Sequence, residues 1–144
     1  GFEKSSAAEL AGSIRDSAKL AQAYASATTA KIAVVTGKAY GSAYVALAST
    51  AAGSDFTFAW EGAVIAPTTP EAAVVFLNGV SEDNAKQAQE YADNEADAFT
   101  AAANGYVDRV ITAEDTKSAL TSAIEATSSK RVVTPAKKHV NFVY

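Results

Sequence analysis

Cysteine is absent from this chain of 144 residues, which excludes disulfides, a thiolate nucleophile and any zinc site built on Cys. Methionine is absent as well and the sequence opens on Gly1; the expectation is a segment of a longer protein. Long apolar runs are also missing. Hydrophobic residues make up 49% of the chain, but much of that is Ala, and no stretch approaches the roughly 20 residues that a bilayer-spanning helix requires. The opening GFEKSSAAEL has no basic region followed by an apolar one, so no signal peptide is read there and the default location is cytoplasmic. Positive charge is scarce: 12 Lys and Arg stand against 16 Asp and Glu, for a net charge of -4. Lys130, Arg131, Lys137 and Lys138 are too few to form a duplex-binding stripe, so nucleic acid is excluded as a partner.

What remains is enough for one substantial core, since a chain of this size buries about 68 to 70% of its unfolded surface. From Ser6 to Ala27, Ala7, Leu10, Ala11, Ile14, Ala18, Ala21 and Ala25 recur at spacings of three and four, which predicts one helix with an Ala-rich face that packs closely. Lys31 to Thr36 (KIAVVT) reads as a buried strand. Gly37 and Gly41 mark a turn, and a helix begins near Ser42. Phe56 to Ala59 and Ala63 to Ala66 read as short strands, and Pro67 and Pro70 end them before a helix from Glu71. Ser81 is the predicted N-cap of an acidic, Ala-rich helix that runs to Ala103 and closes at Gly105. Tyr106 to Ile111 is a further strand. Thr112 and Asp115 resemble a capping box, with Leu120, Ala123, Ile124 and Thr127 as the inner face of the last helix. Strands alternating with helices imply a parallel sheet and an α/β class. No internal repeat of fixed period is visible.

The segment Tyr40-Gly41-Ser42-Ala43-Tyr44 is the best candidate for chemistry. A glycine turn into a helix start presents free backbone N–H groups and the positive end of the helix dipole, which suit a developing oxyanion. Its bland reading is a packing turn. Ser42 as a hydrolase nucleophile would need a base, and the single histidine is His139 in the tail. Glu82, Asp83, Glu90, Asp93, Glu95 and Asp97 lack octahedral ligand spacing and read as a solvated helix face, so no metal site is assigned. Tyr24, Trp60, Tyr91 and Tyr106 read as core or interface anchors.

Several collinear motifs resemble one family. The stretch from GFEKSS through AKLAQAYASAT to GKAYGSAY is similar to the Gly-Phe loop, helix, strand and "RKAYGGAY" turn of the acyl-CoA carboxyltransferases of biotin-dependent carboxylases and decarboxylases. DFTFAWEGAVIA, PEAAV, AAANGYVDRVI and TPAKKHVNFVY resemble that family's later motifs in the same order. The resemblance implies a crotonase-like spiral of ββα units, with residues 1–144 as one C-terminal carboxyltransferase domain whose tail, 131–144, is irregular. It further implies transfer of CO2 between N1 of biotin, held on a carrier protein, and the α-carbon of a coenzyme A thioester. In the family, a backbone oxyanion hole in this half steadies the biotin ureido oxygen, and it falls on the N–H groups of Ser42 and Ala43. Tyr40, Gly41, Tyr44 and Val45 would line the biotin and substrate pocket, an apolar Val45 suiting a small aliphatic acyl group. Implied partners are the absent N-terminal half, the biotin carboxyl carrier protein and further copies in a homo-oligomer.

The chain departs from the family pattern where Gly37 replaces Arg, Ser42 replaces Gly, Glu61 replaces Pro and Ala72 replaces Gly. The Gly-Phe loop also lacks its Pro-Gly. These departures keep two alternatives open: a decarboxylase α-type subunit acting on methylmalonyl-CoA or glutaconyl-CoA, and a non-catalytic structural subunit. On the main reading the isolated chain is inactive, and an exposed apolar surface is expected near the Tyr40 to Tyr44 turn.

Overall fold

The computed structural model describes residues 1–133; the TPAKKHVNFVY motif and His139 lie outside the described residues. The fold is α/β. β1 (Ile32–Val35) and β2 (Lys38–Tyr40) lead directly into α3 (Gly41–Ala48), preceded by α1 (Ser6–Ala11) and α2 (Ser13–Ser26). β3 (Phe56–Trp60) and β4 (Val64–Ala66) lead into α4 (Pro70–Asn78), and α5 (Asn84–Asn94), α6 (Ala98–Ala103), β5 (Arg109–Ile111) and α7 (Thr116–Thr127) follow. All named strand pairs are parallel, as the alternation of elements implies: β1, β3 and β5 form one sheet in the order β1-β3-β5, and β2 pairs with β4 in a second. A strand-strand-helix unit therefore occurs twice, with Ile32 opposite Phe56 and Lys38 opposite Val64. The repeat is structural, carried by pairing rather than by residue identity.

Alternation along the three-stranded sheet divides the core. Val35 and Ala59 face one side with Ala48, Ile65, Ala98 and Val107. Phe58 faces the other with Ile111, Ala119 and Ala123, joined by Ile32, Val34, Phe56 and Trp60. The buried hydrophobic residues are mostly alanine, so elements approach closely but each contributes little apolar area. Many larger apolar side chains lie outside: Leu10 is 90% exposed, and both Phe76 and Val80 are 89% exposed.

The crossovers share one device. Asp55 enters β3 with its N–H donating to the Lys31 carbonyl at 2.8 Å and its carboxylate accepting from the Lys31 N–H at 2.7 Å. Asp108 enters β5 in the same way, donating to the Thr57 carbonyl at 2.9 Å and accepting from the Thr57 N–H at 2.7 Å. Each aspartate clasps both backbone groups of the residue beside it, at the point where ladder pairing begins.

Several expectations are corrected. The helix predicted from Ser6 to Ala27 is broken at Gly12, whose φ of 99° is left-handed backbone suited to glycine and ends α1. Its apolar stripe is not buried; neither α1 nor α2 contains a buried residue. The stretch between Gly37 and Gly41 is not only a turn but contains β2, a three-residue strand too short to show periodicity. The Ser81 to Ala103 helix is two helices, because the chain between them crosses the edge of β4: Ile65 N–H donates to Ala96, and Asp97 bridges Val64 before capping α6 through Phe99 and Thr100 N–H. Ser81 caps nothing; its N–H and hydroxyl donate to Asn84 Oδ1, and α5 starts after Asp83. Tyr106 lies before β5, its N–H donating to Ala101 while Gly105 N–H donates to Ala102, a Schellman closure of α6. On α7 the buried positions are Ala119 and Ala123, while Ile124 is exposed. Thr112 accepts from the Asp115 N–H at 3.2 Å and its hydroxyl donates to the Asp115 carboxylate at 2.9 Å, but this pair lies ahead of the helix: Asp115 is itself the N-cap of α7 and no side chain caps that start, so the expected capping box does not form.

Candidate functional site at the start of the third helix

Tyr40 is the last residue of β2 and the N-cap of α3. Its extended backbone, φ -121° and ψ 133°, turns into the helix with no side chain capping the N-terminus. Gly41, Ser42 and Ala43 are then the first three helical residues, where helix geometry gives an N–H no acceptor four residues earlier within the helix. The sequence places no Asp, Asn, Ser or Thr at position 40 to take up that role, and an aromatic residue cannot.

Gly41 is required here for two independent reasons. Its φ of 56° is left-handed backbone, and a Cβ built on it would lie 2.8 Å from the Pro67 carbonyl oxygen, closer than any side chain tolerates. The end of β4 thus presses directly on the first residue of α3.

Three clefts meet on this turn. One of about 340 Å³ lies between α2 and α3 and is bordered by Phe2, Ser13, Ile14, Ala18 and Ser42. A second of about 420 Å³ is bordered by Phe2, Val35, Gly37, Ala43 and Leu47. The third, about 330 Å³, is formed by Gly41, Tyr44, Val45, Ile65, Pro67 and Tyr106. The candidate residues are therefore contiguous in sequence but spread over the three clefts: Ser42 lines the first, Ala43 the second, Gly41 and Val45 the third, and Tyr44 lies between the second and the third. The side chain of Ser42 is exposed. Tyr40 lies on the other side of the turn, beside Glu71 and Lys38. Each cleft has the size of an ordinary small-molecule pocket, about 300 Å³ or more.

Both tyrosines are held protonated. Burial pushes the Tyr40 phenol up, helped by the Glu71 carboxylate. Burial likewise raises Tyr44, with the Asp108 carboxylate and then Tyr106 adding to it. The Tyr44 hydroxyl donates to the Tyr106 carbonyl, which ties the second turn of α3 to the loop before β5.

Phe2, Thr57, Pro67, Tyr106 and Asp108 complete the surroundings, and the sequence reading missed them as site residues. Tyr106 and Asp108 sat in a quoted motif, GYVD; nothing in local spacing marks Pro67 or Thr57, which meet α3 only through the fold. The exposed apolar surface is also wider than expected. Val45 and Tyr106 are exposed beside the turn, but Leu10 and Ile14 on the first two helices and Phe76, Leu77 and Val80 at the end of α4 expose more. Among the described residues no group of His, Cys, Asp and Glu is placed to hold a metal ion, and no helix is long and apolar enough to cross a membrane.

Comparison with known proteins shows the family. Residues 1–142 match the model of the carboxyl transferase domain. The chain is 38% identical to the propionyl-CoA carboxylase beta chain of Cereibacter sphaeroides over 98% of its own length and 28% of that protein. It is 37% identical to the methylmalonyl-CoA decarboxylase subunit alpha of Veillonella parvula, covering 98% of itself and 28% of that subunit. A crystal structure of transcarboxylase 12S with methylmalonyl-coenzyme A and methylmalonic acid bound superposes with a TM-score of 0.91 at 39% identity, over 100% of this chain and 29% of that one. The chain thus spans under a third of the length of the curated relatives it matches.

Proposed function

The chain belongs to the carboxyl transferase domain family, with its crotonase-like fold, and on that premise we propose that it is the C-terminal half of a biotin-dependent acyl-CoA carboxyltransferase. Its part in the reaction is to supply the oxyanion hole on the biotin side. The observation that carries this is the start of α3, where Ser42 and Ala43 present first-turn N–H groups that no side chain caps, between two clefts large enough for a small ligand. Backbone donors fixed by a helix are already oriented when negative charge develops, and losing one such donor costs on the order of 100-fold or more in rate.

Biotin, delivered on a carrier protein, would supply the ureido group that holds and releases CO2. The residues fit such a group because the hole uses backbone donors alone, so Ser42 in place of the family's glycine retains its N–H. The added hydroxyl faces the α2–α3 cleft. Val45 and the apolar third cleft suit a small aliphatic acyl chain, the class named in the relatives. A thioester enolate would be steadied by the N-terminal half, which together with neighbouring subunits would cover the exposed Phe76, Leu77 and Val80.

The test is turnover of malonyl-CoA, methylmalonyl-CoA or glutaconyl-CoA with free biotin, followed by CO2 release. A carboxyltransferase containing both halves is expected to consume at least one of them, and the 144-residue chain alone none. Decarboxylation by the isolated chain above the level of Ser42→Pro, or inactivity of the assembled enzyme toward all three, overturns the proposal.

A further inference from the structure

The start of α3 is held in place from a distance, through a chain of hydrogen bonds that begins at Asp108. Thr57 is completely buried, and three of its polar groups are committed. Its hydroxyl donates to the Ala48 carbonyl at the end of α3. Its N–H and carbonyl are both taken by Asp108, at 2.7 and 2.9 Å. Two residues before Asp108, the Tyr106 carbonyl accepts from the Tyr44 hydroxyl. The middle and the C-terminal end of the eight-residue helix are thus tied to one clasp: Tyr44 through the Tyr106 to Asp108 segment, and Ala48 through Thr57. Gly41, pressed against the Pro67 carbonyl, fixes the first residue of the helix but not its rotation or tilt.

We propose that Asp108 is a positioning residue for the carboxyl-transfer site: its clasp on Thr57 places the Tyr106 carbonyl so that Tyr44 holds the donor turn Gly41 to Ala43 in the orientation needed for reaction. This rests on the function proposed above. It assigns a role to a residue that touches neither the donor turn nor the first two clefts. Removing the clasp frees the loop, the phenol loses its acceptor, and the donors tilt; small misplacements of positioned groups weigh on the chemical step rather than on ground-state binding. The Asp108 carboxylate also raises the Tyr44 phenol, which favours the protonated form that this bond needs. Asp55 provides a control built into the fold, since it makes the same clasp one crossover earlier, on Lys31, without a link to Tyr44.

The experiment is a double-mutant cycle in the carboxyltransferase containing both halves. Asp108→Ala and Tyr44→Phe are each expected to lower kcat about tenfold with KM for the acyl-CoA changed less than about twofold, and the double variant to be no slower than the slower single one. Asp108→Asn, which keeps an acceptor for the Thr57 N–H, should restore most of the loss, and Asp55→Ala should lower Tm while leaving kcat unchanged. Losses that multiply in the double variant, or an Asp108→Ala enzyme that is less stable but equally fast, overturn the proposal. If Asp108→Ala does not fold, Asp108→Ser takes its place in the same cycle. A readout that needs no turnover is the ultraviolet titration of Tyr44, isolated by subtracting Tyr44→Phe. In Asp108→Asn it should move to lower pH, and an unmoved titration counts against the clasp acting on Tyr44. Absence of turnover in every variant and in the parent, with that titration shifted, places the failure in the proposed function instead.

Discussion

The two strand-strand-helix units of this chain are built alike but start their helices differently. In the first, β2 runs into α3 without an intervening residue; the N-cap is Tyr40, and no side chain closes the turn. In the second, Pro67 to Thr69 separate β4 from α4, Thr69 caps it through the Ala72 N–H, and Pro70 occupies the first turn, where it has no N–H to satisfy. Topology and pairing are shared, so the fold does not require an open helix start. The second unit shows how such an end is sealed by a side-chain cap and a proline. The first leaves its start uncapped and needs a glycine there, in left-handed backbone and close against the Pro67 carbonyl of the second unit. Under the proposed function, the open start of α3 carries the donors, while the capped start at Thr69 only begins a helix.

The comparison can be broken most severely at Gly41. Gly41→Val forces a β-branched residue into left-handed backbone against the Pro67 carbonyl; in the assembled enzyme kcat is expected to fall at least about 100-fold, as when an oxyanion donor is lost. If activity survives, the donor turn is not the site. Sealing is tested at the other helix: Thr69→Ala removes the cap of α4 and should lower stability by about 1 kcal/mol in denaturant titration, with kcat unchanged. Should Thr69→Ala alter kcat as strongly as Gly41→Val, the two starts are not functionally distinct.

The clasp beneath the first unit has its own signature. Lys130 donates to Asp55 at 2.7 Å, and this bond, ahead of the opposing effect of burial, holds the Asp55 carboxyl below its ordinary range. The folded form therefore binds that proton less readily than the unfolded chain. The stability involved is complete above the unfolded value of about 3.9 and disappears as pH falls through the lower folded value. Lys130→Met should be less stable than the parent at neutral pH, with the difference closing in strong acid. A difference independent of pH would show that Lys130 contributes packing alone. The smallest effect is expected of Ser42→Gly, which restores the family's residue: both N–H groups remain, so kcat should change by less than about threefold. A larger gain would mean that the hydroxyl obstructs the α2–α3 cleft.

Local pattern was sufficient where an element is long or its signal chemical. KIAVVT, the helix after Gly41 and the helix after Pro70 could be read because β-branched runs, helix formers and turn residues act on their immediate neighbours. The resemblance carried by GKAYGSAY pointed to residues 41–43, which begin α3. Reading failed where the deciding partner is distant. The acidic segment was one helix by composition, yet Ala96 and Asp97 serve the edge of β4, and that bonding outweighs the modest propensity of a few alanines. Leu10, Ile14 and Ile124 have helical spacing but face outward, because periodicity defines a face without saying what covers it.

The sequence by itself determined the α/β class, the parallel arrangement, the family and the position of the glycine turn, all of which follow from short-range chemistry and from motifs in one order. The tertiary structure alone decided which groups hold that turn. Pro67 reaches Gly41, Tyr106 receives the Tyr44 hydroxyl, and Asp108 closes on Thr57 across 51 positions of chain. Hydrogen bonds and steric contacts at such separation exist only once the sheet has paired, so no window along the chain contains both partners.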